Sequence, residues 1–203
     1  MIYIVGLGPG HRDYIMPKAV EMLRKSDIVL GFKRALDSLD FVDNKKMYIN
    51  KLSDIDEFLN DEKNKDINVS VVASGDPTFY GITNYINNKT NLNIKVIPGI
   101  SSFQYLTCKL NLSWSNAYLS SLHGRKEEFL DAINIHKLSI WLTDKENNPA
   151  ILCKILHENN INCKVIVGEN LSYEDEIITE GSPIEFLNQN FSPLSVFIVE
   201  KII

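Results

Sequence analysis

Four short stretches carry residue types that could do chemistry, and each follows an apolar run. Residues 71–81 read Val-Val-Ala-Ser-Gly-Asp-Pro-Thr-Phe-Tyr-Gly. That is a β-branched strand broken by turn formers, so a loop opens at the strand's carboxyl end, where open parallel α/β sheets bind ligands. There Asp76 can bind an amine, a hydroxyl or a cationic ligand, or can cap the following helix through backbone amides. Gly6-Leu7-Gly8-Pro9-Gly10 ends an N-terminal run. It falls short of the dinucleotide fingerprint because His11 stands where the third glycine belongs, and Pro9 removes an amide that a pyrophosphate cradle uses. The glycines still let backbone approach a flat ligand closely.

Pro98-Gly99-Ile100-Ser101-Ser102 forms a third loop. Ser101 and Ser102 can cap a helix or offer hydroxyls and helix N-terminal amides to a ligand, and no hydrolase-type glycine elbow accompanies them. Ser121-Leu122-His123-Gly124-Arg125 is the fourth loop. His123 and Arg125 can be an ordinary structural histidine and a surface charge. Side by side after a strand they also make an anion clamp, since a guanidinium binds carboxylates in a fork. The four histidines, His11, His123, His136 and His157, have no metal-ligand spacing, so no protein-bound metal is expected.

Positioning these loops requires strands that alternate with helices. Apolar runs at Ile2–Val5, Ile28–Leu30, Met47–Ile49, Val69–Ala73 and Ile94–Ile97 alternate with helical spacing over Met16–Lys25, Arg34–Leu39, Leu52–Leu59, Tyr80–Asn87 and Ser101–Leu110. That alternation predicts βαβ units and a parallel sheet. Ser53 or Asp54 is the expected N-cap of the third helix. The pattern pauses at Asn111–Asn116, which places a boundary there: an N-terminal α/β domain over 1–112 and a C-terminal one over 113–203. The second series runs strand, helix, strand, helix from Ala117 to Glu158, then Cys163–Val167, Glu174–Thr179 and Val196–Lys201 as strands, with a short helix at Ile184–Leu187. No crossover helix fits around Glu174–Thr179, so antiparallel pairing and a mixed sheet are expected.

With 203 residues, 44% hydrophobic and 23% charged, the chain has the composition of a soluble globular protein. A formal charge of −5 argues against a nucleic-acid-binding surface. Cys108, Cys153 and Cys163 form no CxxC, which suits free thiols in a reducing cytosol. Met1–Val5 runs straight into a glycine turn without a basic leader or long apolar segment. A cytoplasmic protein without a membrane span is expected.

Taken together, Gly6-x-Gly8-Pro9-Gly10, Gly75-Asp76-Pro77 with Tyr80-Gly81, and Pro98-Gly99-Ile100-Ser101-Ser102 resemble the tetrapyrrole methylase family, over the whole chain. Gly31-Phe32-Lys33-Arg34 and Ser121–Arg125 resemble the branch that methylates C5 of cobalt-precorrin-7. The resemblance implies two α/β domains with S-adenosylmethionine folded in the cleft between them, and a homodimer. By motif it assigns Pro9, Gly75, Asp76, Phe79, Ser101 and Ser102 to the cofactor, with Leu142, Gly168 and Glu169 from strand ends of the second domain. Gly8, Gly10, Arg34, His123 and Arg125 would face the corrinoid, with cobalt only inside that substrate. The chain length leaves no room for the extra region of bifunctional relatives, so a separate C15-methyltransferase and decarboxylase is the expected partner.

The expected reaction is transfer of a sulfonium methyl to a macrocycle carbon. His123 is the candidate for proton handling, and Arg34 and Arg125 for the substrate carboxylates. Alternatives are the same chemistry on another precorrin position or another acceptor, or a non-catalytic tetrapyrrole- or nucleotide-binding module. An NAD-dependent oxidoreductase is opposed by the broken glycine fingerprint.

Overall fold

β-branched runs set the first half of the chain. In the computed structural model, which describes residues 1–64, 66–89, 93–124 and 128–202, strands β1 (Ile2–Gly6), β2 (Ile28–Phe32), β3 (Lys45–Ile49), β4 (Val69–Ala73) and β5 (Ile94–Ile97) form one sheet of order β3-β2-β4-β1-β5. Every pairing in it is parallel. Successive side chains point to opposite faces of a strand, and both faces are covered, which is why the inner strands β1, β2 and β4 are mostly apolar, while β3 and β5 at the sheet edges carry lysines. Val5, Val29 and Val72 pack with helices α1 (Pro17–Lys25) and α2 (Lys33–Asp37) through Leu23 and Leu36. Ile4, Leu30 and Val71 pack on the other side with α3 (Ser53–Asn60) and α4 (Thr83–Asn87) through Ile55 and Ile86. The buried hydroxyl of Ser70 is matched to that of Ser26 at 2.7 Å.

Helix α5 (Ser102–Lys109) opens the second half, followed by β6 (Tyr118–Ser121), α6 (Phe129–Ile135), β7 (Leu138–Leu142), α7 (Pro149–Glu158), β8 (Cys163–Glu169), β9 (Ile177–Gly181) and β10 (Ser195–Lys201). The sheet order is β6-β7-β10-β8-β9. Only β6 and β7 are parallel; the other three pairings are antiparallel, so the sheet is mixed. Trp141, Val167 and Phe197 share one face with Phe129 of α6 and Leu152 of α7. On the opposite face α5 lies against β7 and β10, and a side chain added at Gly168 would run into Leu106 of α5.

Several sequence expectations shift. The chain divides into Met1–Ser101 and Ser102–Ile203, not at residue 112, because α5 buries its apolar residues in the second sheet; the polar pause at 111–116 lies inside the second unit. Neither Ser53 nor Asp54 caps α3. The N-cap position is Leu52 without a side-chain bond, and Asp54 instead accepts the amides of Asn50 and Lys51 at 2.8 and 3.1 Å. The helix expected over Tyr80–Asn87 begins only at Thr83, because Tyr80 has left-handed backbone (φ 51°). The strand read at Glu174–Thr179 is β9, antiparallel to β8 and displaced to Ile177–Gly181.

Among the described residues no helix is long and apolar enough to cross a membrane. Leu106 is fully buried, so Leu106→Ala should destabilise the chain by about 2–5 kcal/mol, read as a lowered urea midpoint of the second unit's transition.

Candidate active site

The first unit gathers three loops at the carboxyl ends of β1, β4 and β5. Leu7 continues the strand ladder by donating its amide to the Ala73 carbonyl at 2.9 Å. Gly8 and Gly75 then exchange backbone bonds, with N···O distances of 3.3 and 2.7 Å, both in left-handed backbone (φ 79° and 66°) that glycine adopts at no steric cost. Contact is tightest one layer deeper. A Cβ on Gly6 would lie 2.6 Å from the Gly99 nitrogen and 2.8 Å from the Gly75 carbonyl, and one on Gly99 would fall closer still to that carbonyl.

Asp76 ties this junction together. Its Oδ2 accepts the Gly99 amide at 3.2 Å, and its Oδ1 accepts the Thr78 amide at 2.7 Å and the Thr78 hydroxyl. Burial works against its charge, but the bonds from Thr78, Gly99 and Phe79 outweigh it and hold the carboxyl below the usual carboxylate range. Asp76 therefore does not cap α4, which starts seven residues on; it closes a turn and joins the β4 loop to the β5 loop. Thr83 anchors that turn's far side, donating its amide (3.2 Å) and hydroxyl (2.7 Å) to the Pro77 carbonyl.

The other predicted residues of this unit flank the junction. Pro9 and Gly10 are half-buried, while Ser101 is buried with its Cα 3.6 Å from where a Gly75 side chain would begin. Arg34 is exposed and reaches the Ser74 hydroxyl at 3.3 Å, which brings a cation to the rim of the β4 loop. Phe79 and Tyr80 meet edge to face at 5.0 Å, and Tyr80 is exposed. His11 accepts the Asp13 amide at 3.3 Å and starts a short 3-10 turn over Arg12–Tyr14. That turn explains why the sixth fingerprint position is not glycine.

In the second unit the predicted residues stand at one end of the mixed sheet. Ser121 pairs with Leu142, and Leu122 donates to the Leu142 carbonyl at 2.8 Å. His123 is exposed, with Nδ1 3.3 Å from the Thr143 carbonyl. Gly168 is buried; Glu169 is half-buried and accepts the Ser192 amide at 2.6 Å. Ser102 is half-buried at the start of α5. Arg125 lies outside the described residues.

Sequence reading missed Thr78 and Asp144. Asp144 accepts the amides of Gly124, Glu146 and Asn147 at 2.8, 2.9 and 2.7 Å. Its burial opposes charge, yet these amides and the nearby His123 ring lower its pKa. Both residues carry a usable signal: Asp-x-Thr after β4, and an Asp two residues past β7 ahead of an Asn-Asn-Pro, are side-chain-to-backbone turn patterns. Among the described residues no group of three or more His, Cys, Asp or Glu side chains is placed to hold a metal ion.

Two outcomes follow from the junction. Gly99→Ala forces backbone apart and should cost about 1–3 kcal/mol by overpacking, measured by thermal melting. Because the folded Asp76 carboxyl titrates below its unfolded value, its contribution is complete above the unfolded pKa and is lost as pH falls through the folded one. Below about pH 4 the wild-type melting midpoint should therefore fall more steeply than that of Asp76→Asn.

Comparison with known proteins adds the lineage. The model of the family described as tetrapyrrole (corrin/porphyrin) methylases matches residues 1–185. A Methanocaldococcus jannaschii protein named probable cobalt-precorrin-7 C(5)-methyltransferase is 36% identical, covering 98% of this chain and 98% of the relative. The cobalt-precorrin-7 C(5)-methyltransferase of Salmonella typhimurium is 29% identical over 99% of this chain and 100% of its own. Among solved structures, a cobalamin-biosynthesis precorrin-6Y methylase from Archaeoglobus fulgidus matches with a TM-score of 0.78 at 24% identity, over 100% of this chain and 99% of that one. A uroporphyrin-III C-methyltransferase from Thermus thermophilus, complexed with S-adenosyl homocysteine, gives 0.80 at 19% identity, over 98% and 91%. With a family model spanning most of the chain and a relative of this similarity end to end, the chain belongs to the tetrapyrrole methylase family.

Proposed function

We propose that this chain is an S-adenosylmethionine-dependent C-methyltransferase that methylates C5 of cobalt-precorrin-7 in cobalamin biosynthesis. The observation that carries the reading is the end-to-end similarity to relatives bearing that name. The three-loop junction adds chemistry that suits the methyl donor. Glycine backbone at 8 and 75 permits close approach, Asp76 supplies a carboxylate kept charged, and the Phe79–Tyr80 pair offers aromatic surface for a purine.

On this reading Pro9, Gly75, Asp76, Phe79 and Ser101 hold S-adenosylmethionine. The resemblance adds Ser102, Leu142, Gly168 and Glu169 to that set, and Gly8, Gly10, Arg34, His123 and Arg125 to the corrinoid's. When bound, S-adenosylmethionine supplies an electrophilic methyl, whose bond to sulfur breaks as the bond to the acceptor carbon forms. The chain's own work is to orient the reactants, which alone can remove about 7–11 kcal/mol of a barrier. Asp76 acts mainly by shaping the loop, since three donors already occupy its oxygens. Arg34 presents a guanidinium to the acetate and propionate carboxylates of the substrate. His123 takes up the proton that the acceptor carbon sheds. Cobalt arrives only within the substrate. A homodimer in the cytoplasm, with a separate C15-methyltransferase and decarboxylase acting alongside it, completes the reading.

Calorimetric titration with S-adenosylhomocysteine should show micromolar binding that Asp76→Ala weakens about tenfold, or about 1.4 kcal/mol. Incubation with cobalt-precorrin-7 and methyl-labelled S-adenosylmethionine should then place one labelled methyl on C5. Tight corrinoid binding without consumption of the methyl donor would instead identify a binding module, and a label on another carbon would reassign the position.

A further inference from the structure

One end of the mixed sheet carries a continuous run of hydrogen bonds that ends on His123. Glu169 accepts the Ser192 amide at 2.6 Å, and the Ser192 carbonyl accepts the Ser195 hydroxyl at 2.5 Å. The Ser195 carbonyl in turn accepts both the hydroxyl (2.8 Å) and the amide (3.3 Å) of Thr143. Thr143 and Ser195 are buried, which fixes the direction of the Thr143 carbonyl. That carbonyl faces His123 Nδ1 at 3.3 Å.

A carbonyl can only accept, so the contact requires the proton on Nδ1. The neutral ring then has its lone pair on Nε2. Among the described residues Nε2 has no hydrogen-bond partner, and the residue is exposed. The next residue, Asp144, grips the same loop from the other side through the Gly124 amide while anchoring its own turn on the amides of Glu146 and Asn147. The Asn147 side chain adds a bond to the Leu122 carbonyl at 3.2 Å. Gly124 itself is in left-handed backbone, and among the described residues no atom lies within 4 Å of where its side chain would begin, so beyond the Leu122 amide on Leu142 and the His123 amide on the Ser121 hydroxyl, Asp144 is what holds the end of this loop.

We propose that Thr143 and Asp144 are positioning residues for His123, presenting its imidazole with the proton on Nδ1 and with Nε2 as the proton acceptor. The inference rests on the methyl-transfer reading for the reaction in which Nε2 acts, but the state of the ring is measurable without any substrate.

Long-range proton–nitrogen spectra of the full chain, labelled in its histidine rings, decide the tautomer. His123→Gln assigns the signal, and the pH is raised until that signal stops shifting, so that the ring is neutral. The wild type should show a protonated Nδ1 and a bare Nε2. Asp144→Asn keeps an acceptor for Glu146 and Asn147 but sets an NH2 against the Gly124 amide. It should return the ring to the free-imidazole mixture and lower kcat about tenfold, with KM changed less than twofold, against a loss of about a hundredfold for His123→Gln. A wild-type ring protonated on Nε2, or an Asp144→Asn spectrum and kcat like the wild type's, overturns the positioning role. Full turnover by His123→Gln overturns the proton-acceptor role. A wild type that shows the Nδ1-protonated ring but does not methylate cobalt-precorrin-7 overturns the assigned reaction, while the spectrum still supports the ring's placement.

Discussion

The first unit depends on how closely three pieces of backbone can approach one another. At Gly6, Gly75 and Gly99 the ends of β1, β4 and β5 come into contact without any side chain between them. The parallel ladder of β4, β1 and β5 brings these ends level, and a methyl group on Gly6 or Gly99 would push them apart. Interiors do not absorb such a change smoothly, because close packing leaves no free volume to take it up. The bridge between Gly8 and Gly75, the bond from Asp76 to Gly99 and the placement of Arg34 at Ser74 all inherit their geometry from this junction.

Both units use a carboxylate in the same way. Asp76 follows β4 and Asp144 follows β7, and each draws amides from its own turn and one from a neighbouring loop. Hydrogen bonds to a charged acceptor contribute about 1.5–3 kcal/mol, roughly twice a neutral one, so a single side chain can hold two loops that share no other regular structure. Both carboxyls are pulled below their ordinary range against the opposing effect of burial.

Most of the fold was legible from period and composition. Short apolar strands alternating with helical spacing specify a parallel sheet covered on both faces, and the short Glu174–Thr179 region, without room for a crossover, specifies antiparallel pairing. The misplacements have local causes. Tyr80 was read as helical because its neighbours fit the period, but Gly81 packs against the Pro77 carbonyl and the preceding turn holds Tyr80 in left-handed backbone. Asp54 carries a capping residue type, yet its carboxylate serves the turn before the helix.

What the sequence determined by itself was the lineage and the order of strands and loops: glycines, Asp76 and the paired serines stand behind apolar runs, and their joint spacing over some hundred residues is specific to one family. Tertiary structure decided what each residue does there. Asp76 spends its oxygens on the backbone of Thr78 and Gly99, which are two and twenty-three positions away. α5 belongs with the second sheet despite the polar pause that follows it, because its buried face meets Gly168. The Thr143 carbonyl, twenty positions on, faces Nδ1 of His123. Apart from the Thr78 bonds, which Asp-x-Thr announces locally, each of these depends on groups brought together across long sequence separations, and local pattern carries no record of which distant carbonyl or amide will be the partner.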